Sequence, residues 1–79
     1  MILKPLHVRF LVAMQNIIKD KKARRIVPSA ALSMELVHAL SLSRTEVERI
    51  GAELAAAGEI STGDTINQKY YNSRTNEQA

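Results

Sequence analysis

Cysteine is absent from this 79-residue chain, which excludes disulfide bridges, thiolate metal sites and a cysteine nucleophile. Tryptophan is absent as well, and the aromatic residues are Phe10, Tyr70 and Tyr71, 4% of the chain. A platform on which single-stranded nucleic acid stacks needs more rings than that. The three glycines stand apart from one another, so there is no glycine-rich loop to cradle a phosphate. The longest apolar run, Phe10 to Met14, is five residues, against the roughly 20 that cross a bilayer. It is also short for a secretory leader, and no small-residue cleavage site follows it. No membrane partner is expected, and the expected setting is cytoplasmic.

What is present is 46% hydrophobic and 24% charged, enough for one small domain and no second. Such a chain buries about 60% of the surface that its unfolded form exposes, so its stability is modest. The charge is uneven. Residues 1–25 hold seven basic side chains against Asp20 alone, a net of +6, whereas residues 26–79 carry a net of −3. Lys19 to Arg25 (KDKKARR) concentrates +4 in seven residues. That run reads either as a solvated helix end or as a patch for phosphates, where counterion release drives association.

Apolar residues at Leu3, Leu6, His7, Phe10, Leu11, Met14, Ile17 and Ile18 recur at three- and four-residue spacing, which predicts an amphipathic helix over about 5–20. Pro5 suits its first turn, and the basic residues from Lys19 suit its C-terminal dipole. His7 falls on the core stripe. Val8 and Val12 lie one turn apart on a second face and point to a homodimer through this helix. Ile26-Val27 reads as a short strand stopped by Pro28. Ser29 is the expected cap of a second helix ending at Leu40, on which His38 faces solvent. Ser43-Arg44-Thr45-Glu46 reads as a capping box for a third helix over 44–57, with Gly58 as its left-handed stop. Beyond Gly58 the period changes, and residues 59–72 predict a β-hairpin. Either a tight turn at Gly63-Asp64 pairs Thr62 with Thr65, or a longer loop pairs Ile60 with Tyr70. Ser73 to Ala79 reads as a frayed polar tail.

Leu36, Leu40, Leu42, Val47 and Ile50 can form one apolar knot where two short helices meet at a turn. With Glu35, Ser41, Ser43, Arg44, Arg49, Leu54, Gly58 and Ile60 in register, the sequence resembles the winged helix–turn–helix superfamily of small bacterial and phage DNA-binding regulators. The resemblance covers about residues 5–72. It implies a mainly α fold with a small β-hairpin: a three-helix winged helix–turn–helix domain over 1–72, with the tail 73–79 outside it. It also implies that helix 44–57 is the recognition helix in the major groove and that hairpin 59–72 is the wing. The chain departs from the family pattern at Ser41, where Gly is frequent in the turn, and at Asp64, where wings commonly carry Arg or Lys. Helix 44–53 carries a net of −1.

Opposite the core of that helix stand Thr45, Glu48, Arg49, Ala52 and Ala56. Arg49 can fork onto a guanine edge, Glu48 can accept from cytosine N4, and Ala52 permits close approach. Ser43, Arg44 and Lys69 suit phosphates, as do Lys21, Lys22, Arg24 and Arg25 of the basic run, while Thr62 and Gly63 belong to the wing. His7 and His38 are separated by 31 positions, and there is neither a paired carboxylate motif nor a G-x-S-x-G. The expectation is therefore a non-enzyme without cofactor, metal or small-molecule substrate, a transcriptional regulator whose partner is double-stranded DNA. The alternative is a winged-helix protein–protein interaction module or assembly subunit.

Overall fold

A computed structural model describes residues 2–74. Its helices are α1 (Pro5–Ala23), α2 (Ser33–Leu40) and α3 (Arg44–Ala56), and its strands are β1 (Ala31–Leu32), β2 (Ile60–Asp64) and β3 (Lys69–Ser73). The class is α+β, with the three helices packed on a three-stranded antiparallel sheet. β3 lies in the middle, so that Ala31 pairs with Tyr71 on one side and Thr62 pairs with Tyr71 on the other.

The core follows the helical stripes. Phe10, Met14 and Ile18 of α1 meet Leu36 and Leu40 of α2, then Val47, Ile50 and Leu54 of α3, with Ala31, Ile60 and Tyr71 from the sheet. Phe10 and Tyr71 form an edge-to-face pair with ring centroids 5.2 Å apart, a geometry in which the ring edge meets the negative face. Ser33 Oγ lies 3.4 Å from the buried Tyr71 hydroxyl and donates to the Lys69 carbonyl. Burial holds the Tyr71 phenol above its ordinary range, because the ionised form would lose its hydration.

Each helix ends on a left-handed residue: Arg25 (φ 58°), Ser41 (φ 55°) and Gly58 (φ 79°). At α3 the Glu59 and Gly58 N–H groups return to the Leu54 and Ala55 carbonyls, and at α1 those of Ile26 and Arg25 return to Lys21 and Lys22. Both are Schellman closures, which satisfy carbonyls that a helix end otherwise leaves open. Gly58 is therefore the predicted stop. Ser41 fills the same role for α2 in spite of its Cβ.

Several expectations are corrected. Ile26-Val27 is not a strand, because Ile26 completes the closure of α1 and Val27 is 89% exposed ahead of Pro28. The strand forms instead at Ala31-Leu32, where Ala30 and Ala31 are small enough to be buried against α1. Ser29 does not cap α2. The helix begins at Ser33, and the Glu35 carboxylate accepts the Leu32 N–H at 2.9 Å. Neither hairpin register was the expected one: Ile60 pairs with Ser73 and Gly63 with Tyr70. The turn lies at 65–68, where the Thr65 hydroxyl donates to the Gln68 carbonyl and accepts the Gln68 N–H. Gly63 sits inside β2 because the Tyr70 ring crosses it; a Cβ there would lie 2.4 Å from the phenol oxygen. Ser73, assigned to the tail, belongs to β3, and Arg74 donates to the Gly58 carbonyl. Residues 75–79 of that tail lie outside the described residues.

Candidate nucleic-acid interface

α3 is anchored by Val47, Ile50, Gly51 and Leu54, all buried. At 100° per residue this turns Thr45, Ala52 and Ala56 outward, and all three are exposed. Glu48 and Arg49 flank that bare strip. The helix starts as predicted: Ser43 Oγ accepts the Glu46 N–H at 3.1 Å. The other half of the capping box is missing, because the Glu46 carboxylate is engaged by Arg49 at 2.9 Å.

Every cation on α3 has an acidic partner on the same helix. Arg44 Nε donates to Glu48 at 3.0 Å, while its Nη2 reaches the Asn67 carbonyl in the hairpin turn at 2.8 Å. Arg49 spans Glu46 at 2.9 Å and Glu53 at 3.1 Å. Hydrogen bonding to Glu46, then its charge, holds the Arg49 guanidinium above its already high ordinary range. These i,i+3 and i,i+4 pairs follow from sequence spacing alone.

The two flanks of α3 differ. On one side, His7 of α1 donates from Nε2 to Glu53 at 2.8 Å, with Nδ1 accepting the Lys4 N–H at 3.0 Å, so the two bonds orient the ring. This hydrogen bond, more than the charge of Arg49, lowers the Glu53 carboxyl below its usual range. On the other side, a shallow cavity of about 280 Å³ separates Arg44 and Glu48 from turn 65–68, Asp64 and Lys69. Lys69 donates to Asp64 at 2.8 Å, which raises its pKa. No protein-family model, curated protein or solved structure matches this chain.

Ser43, Arg44, Thr45, Glu48, Arg49 and Ala52 therefore share one helix face and its leading end, and Lys69 lies across the cavity from Arg44 and Glu48. Thr62 is exposed with its hydroxyl on the Tyr70 carbonyl, and Gly63 is shielded by Tyr70. Lys22, Arg24 and Arg25 are exposed at the far end of α1, with Arg24 paired to Asp20.

Lys21 is a correction to the phosphate patch. It is 9% exposed, and its ammonium donates to the Ala30 carbonyl and pairs with Glu35, each at 2.8 Å. A cation so held ties α1 to the start of α2 and does not face a duplex. Val8 and Val12 are exposed, as expected, at 46% and 55%.

Sequence reasoning missed the hairpin turn as a connector. The Gln68 side chain accepts the Met34 N–H of α2 at 2.8 Å, and Asn67 accepts from Arg44 of α3. The turn is thus tied to the leading ends of both helices, with Ile66 almost fully exposed at its tip. Placing the turn at Gly63-Asp64 concealed this. Among the described residues, no cluster of His, Asp and Glu could hold a metal ion, and no helix is long and apolar enough to cross a membrane.

Proposed function

We propose that this chain is a small sequence-specific double-stranded DNA-binding protein of the winged helix–turn–helix type, a transcriptional regulator that lays α3 in the major groove with the β2–β3 hairpin beside it as a wing. The observation that carries the reading is the bare outer face of α3, small at Thr45, Ala52 and Ala56, next to a projecting hairpin turn tied to Arg44. The element order supports it too: three helices, a short strand ahead of the second, and a hairpin that this strand joins.

Arg49 then reads a guanine edge and Glu48 a cytosine amine, while Ser43, Arg44 and Lys69 hold phosphates. For this, the ion pairs of α3 must exchange carboxylate for DNA. Exposed pairs contribute little to stability, so the exchange is inexpensive. The carboxylates left behind still repel phosphates, which makes Lys22, Arg24 and Arg25 the main source of attraction. A second reading, a protein-interaction module without DNA binding, is favoured by the self-neutralised state of α3.

A salt-titrated anisotropy series on mixed-sequence duplex tests the proposal. Five cationic phosphate contacts, from Arg44, Lys69, Lys22, Arg24 and Arg25, give a slope of about −4.5 in log K against log salt. Replacing Lys22 and Arg24 with Ala weakens all sequences alike and flattens the slope by about 1.8. Arg49→Ala instead lowers affinity about tenfold to a hundredfold on the preferred site and blurs specificity there. Absence of duplex binding at low salt transfers the bare face to a protein partner.

A further inference from the structure

α1 has a second outward face that the DNA reading does not use. Val8, Arg9, Val12 and Asn16 of α1, with Ala39 and Leu40 of α2, line a groove of about 430 Å³. The exposed valines lie one turn apart along its border, and Arg9 Nη2 rests on the Leu40 carbonyl at its wall, 3.4 Å away. From Val8 to Ile17 the strip runs about 14 Å, at 1.5 Å per residue, long enough for two to three turns of a helix laid along it.

The charge around the groove is mainly basic, with Asp20 beside Lys19 and paired to Arg24. Lys4 and Arg9 stand toward one end and Lys19 toward the other, and no acidic residue occurs before Asp20. None lines the groove. A second copy of α1 would bring the same cations against these, so self-pairing is opposed by repulsion. A lipid surface suits a convex apolar ridge, whereas these valines border a shallow groove between two helices.

We propose that this groove binds an amphipathic helix of acidic character from another protein, its apolar residues at i and i+4 seated over Val8 and Val12 and its carboxylates on Arg9 and Lys19. The surface is separate from the outer face of α3, so the partner and a duplex do not compete for the same side chains.

The test uses the full chain and a fluorescent helical peptide with leucines at i, i+4 and i+7 flanked by glutamates, alongside the same peptide with lysines. The glutamate peptide is expected to bind with Kd at or below about 100 µM, and the lysine peptide at least tenfold more weakly. Val12→Asp weakens the glutamate peptide at least tenfold, whereas Val27→Ser, at an exposed position off the groove, leaves it unchanged. Arg9→Glu reverses the preference between the peptides. Circular dichroism confirms that the variants, all at exposed positions, stay folded. Equal binding of both peptides, or indifference to Val12→Asp, overturns the proposal. So does a dimer in sedimentation that Val12→Asp dissolves, which assigns the groove to a second copy. Cosedimentation with phosphatidylserine vesicles that Val12→Asp abolishes overturns it in favour of a membrane.

Discussion

His7 and Glu53 stand 46 residues apart in the chain and meet at 2.8 Å. The buried imidazole fixes the carboxylate, and the carboxylate fixes Arg49 on the outer flank of α3. The N-terminal turn of α1 thereby sets the position of a side chain proposed to read bases.

This contact makes stability depend on pH in a definite direction. The folded state holds the Glu53 carboxyl below its ordinary value of 4.5, so its contribution is complete above that value and is lost as pH falls through the lower folded pKa. The gap in urea midpoint between the parent and Glu53→Gln is expected to be widest near neutrality and to close in acid. His7→Ala removes the buried imidazole together with its bonds to Glu53 and the Lys4 N–H, and should cost about 1–3 kcal/mol, read by urea unfolding at pH 7.

Gly51 is fixed by Tyr71. A Cβ at position 51 would lie 2.4 Å from the Tyr71 ring, which is fully buried and cannot swing aside. Gly51→Ala should therefore destabilise by about 1–3 kcal/mol from overpacking, although alanine is the better helix former by about 1 kcal/mol. Thermal unfolding decides the sign.

Ser41 supplies the opposite case. Its left-handed φ of 55° strains a residue with a Cβ, and its side chain is exposed. Ser41→Gly is expected to stabilise by about 0.5 kcal/mol, the relief being partly offset by greater freedom of the unfolded chain. A lower urea midpoint for Ser41→Gly would show that the serine makes a compensating contact.

Much of this was legible because it is local. The capping role of Ser43, the stop at Gly58, the inward His7 and the α3 stripe of Val47, Ile50 and Leu54 all follow from spacing on one helix. The misplaced features depend on partners distant in sequence. Ala31-Leu32 is a strand because Tyr70 and Tyr71 lie beside it, and Gly63 is mid-strand because Tyr70 covers it. Lys21 looked like part of a solvated run, yet Glu35 and the Ala30 carbonyl draw it inside. In the candidate site the ion pairs of α3 could be read from i,i+3 and i,i+4 spacing. The link from Arg44 to Asn67 could not, because it requires the hairpin register.

The carboxylates of α3 should restrain DNA binding. Glu46→Gln removes one of the two partners of Arg49 and one negative charge beside the outer face of α3. The expected result is an increase in duplex affinity of about twofold or more, for a charge about 10 Å from a phosphate in water, largest at low salt. Unchanged affinity at low salt would separate α3 from the duplex.

The most direct test of the central claim is an amide chemical-shift map of the isotope-labelled chain titrated with duplex DNA at low salt. The account predicts the largest perturbations at residues 43–52 and across the hairpin turn 62–69, with smaller ones at Lys22, Arg24 and Arg25. Perturbations confined to the Val8–Ile17 strip, or none on α3 at saturating duplex, would contradict it.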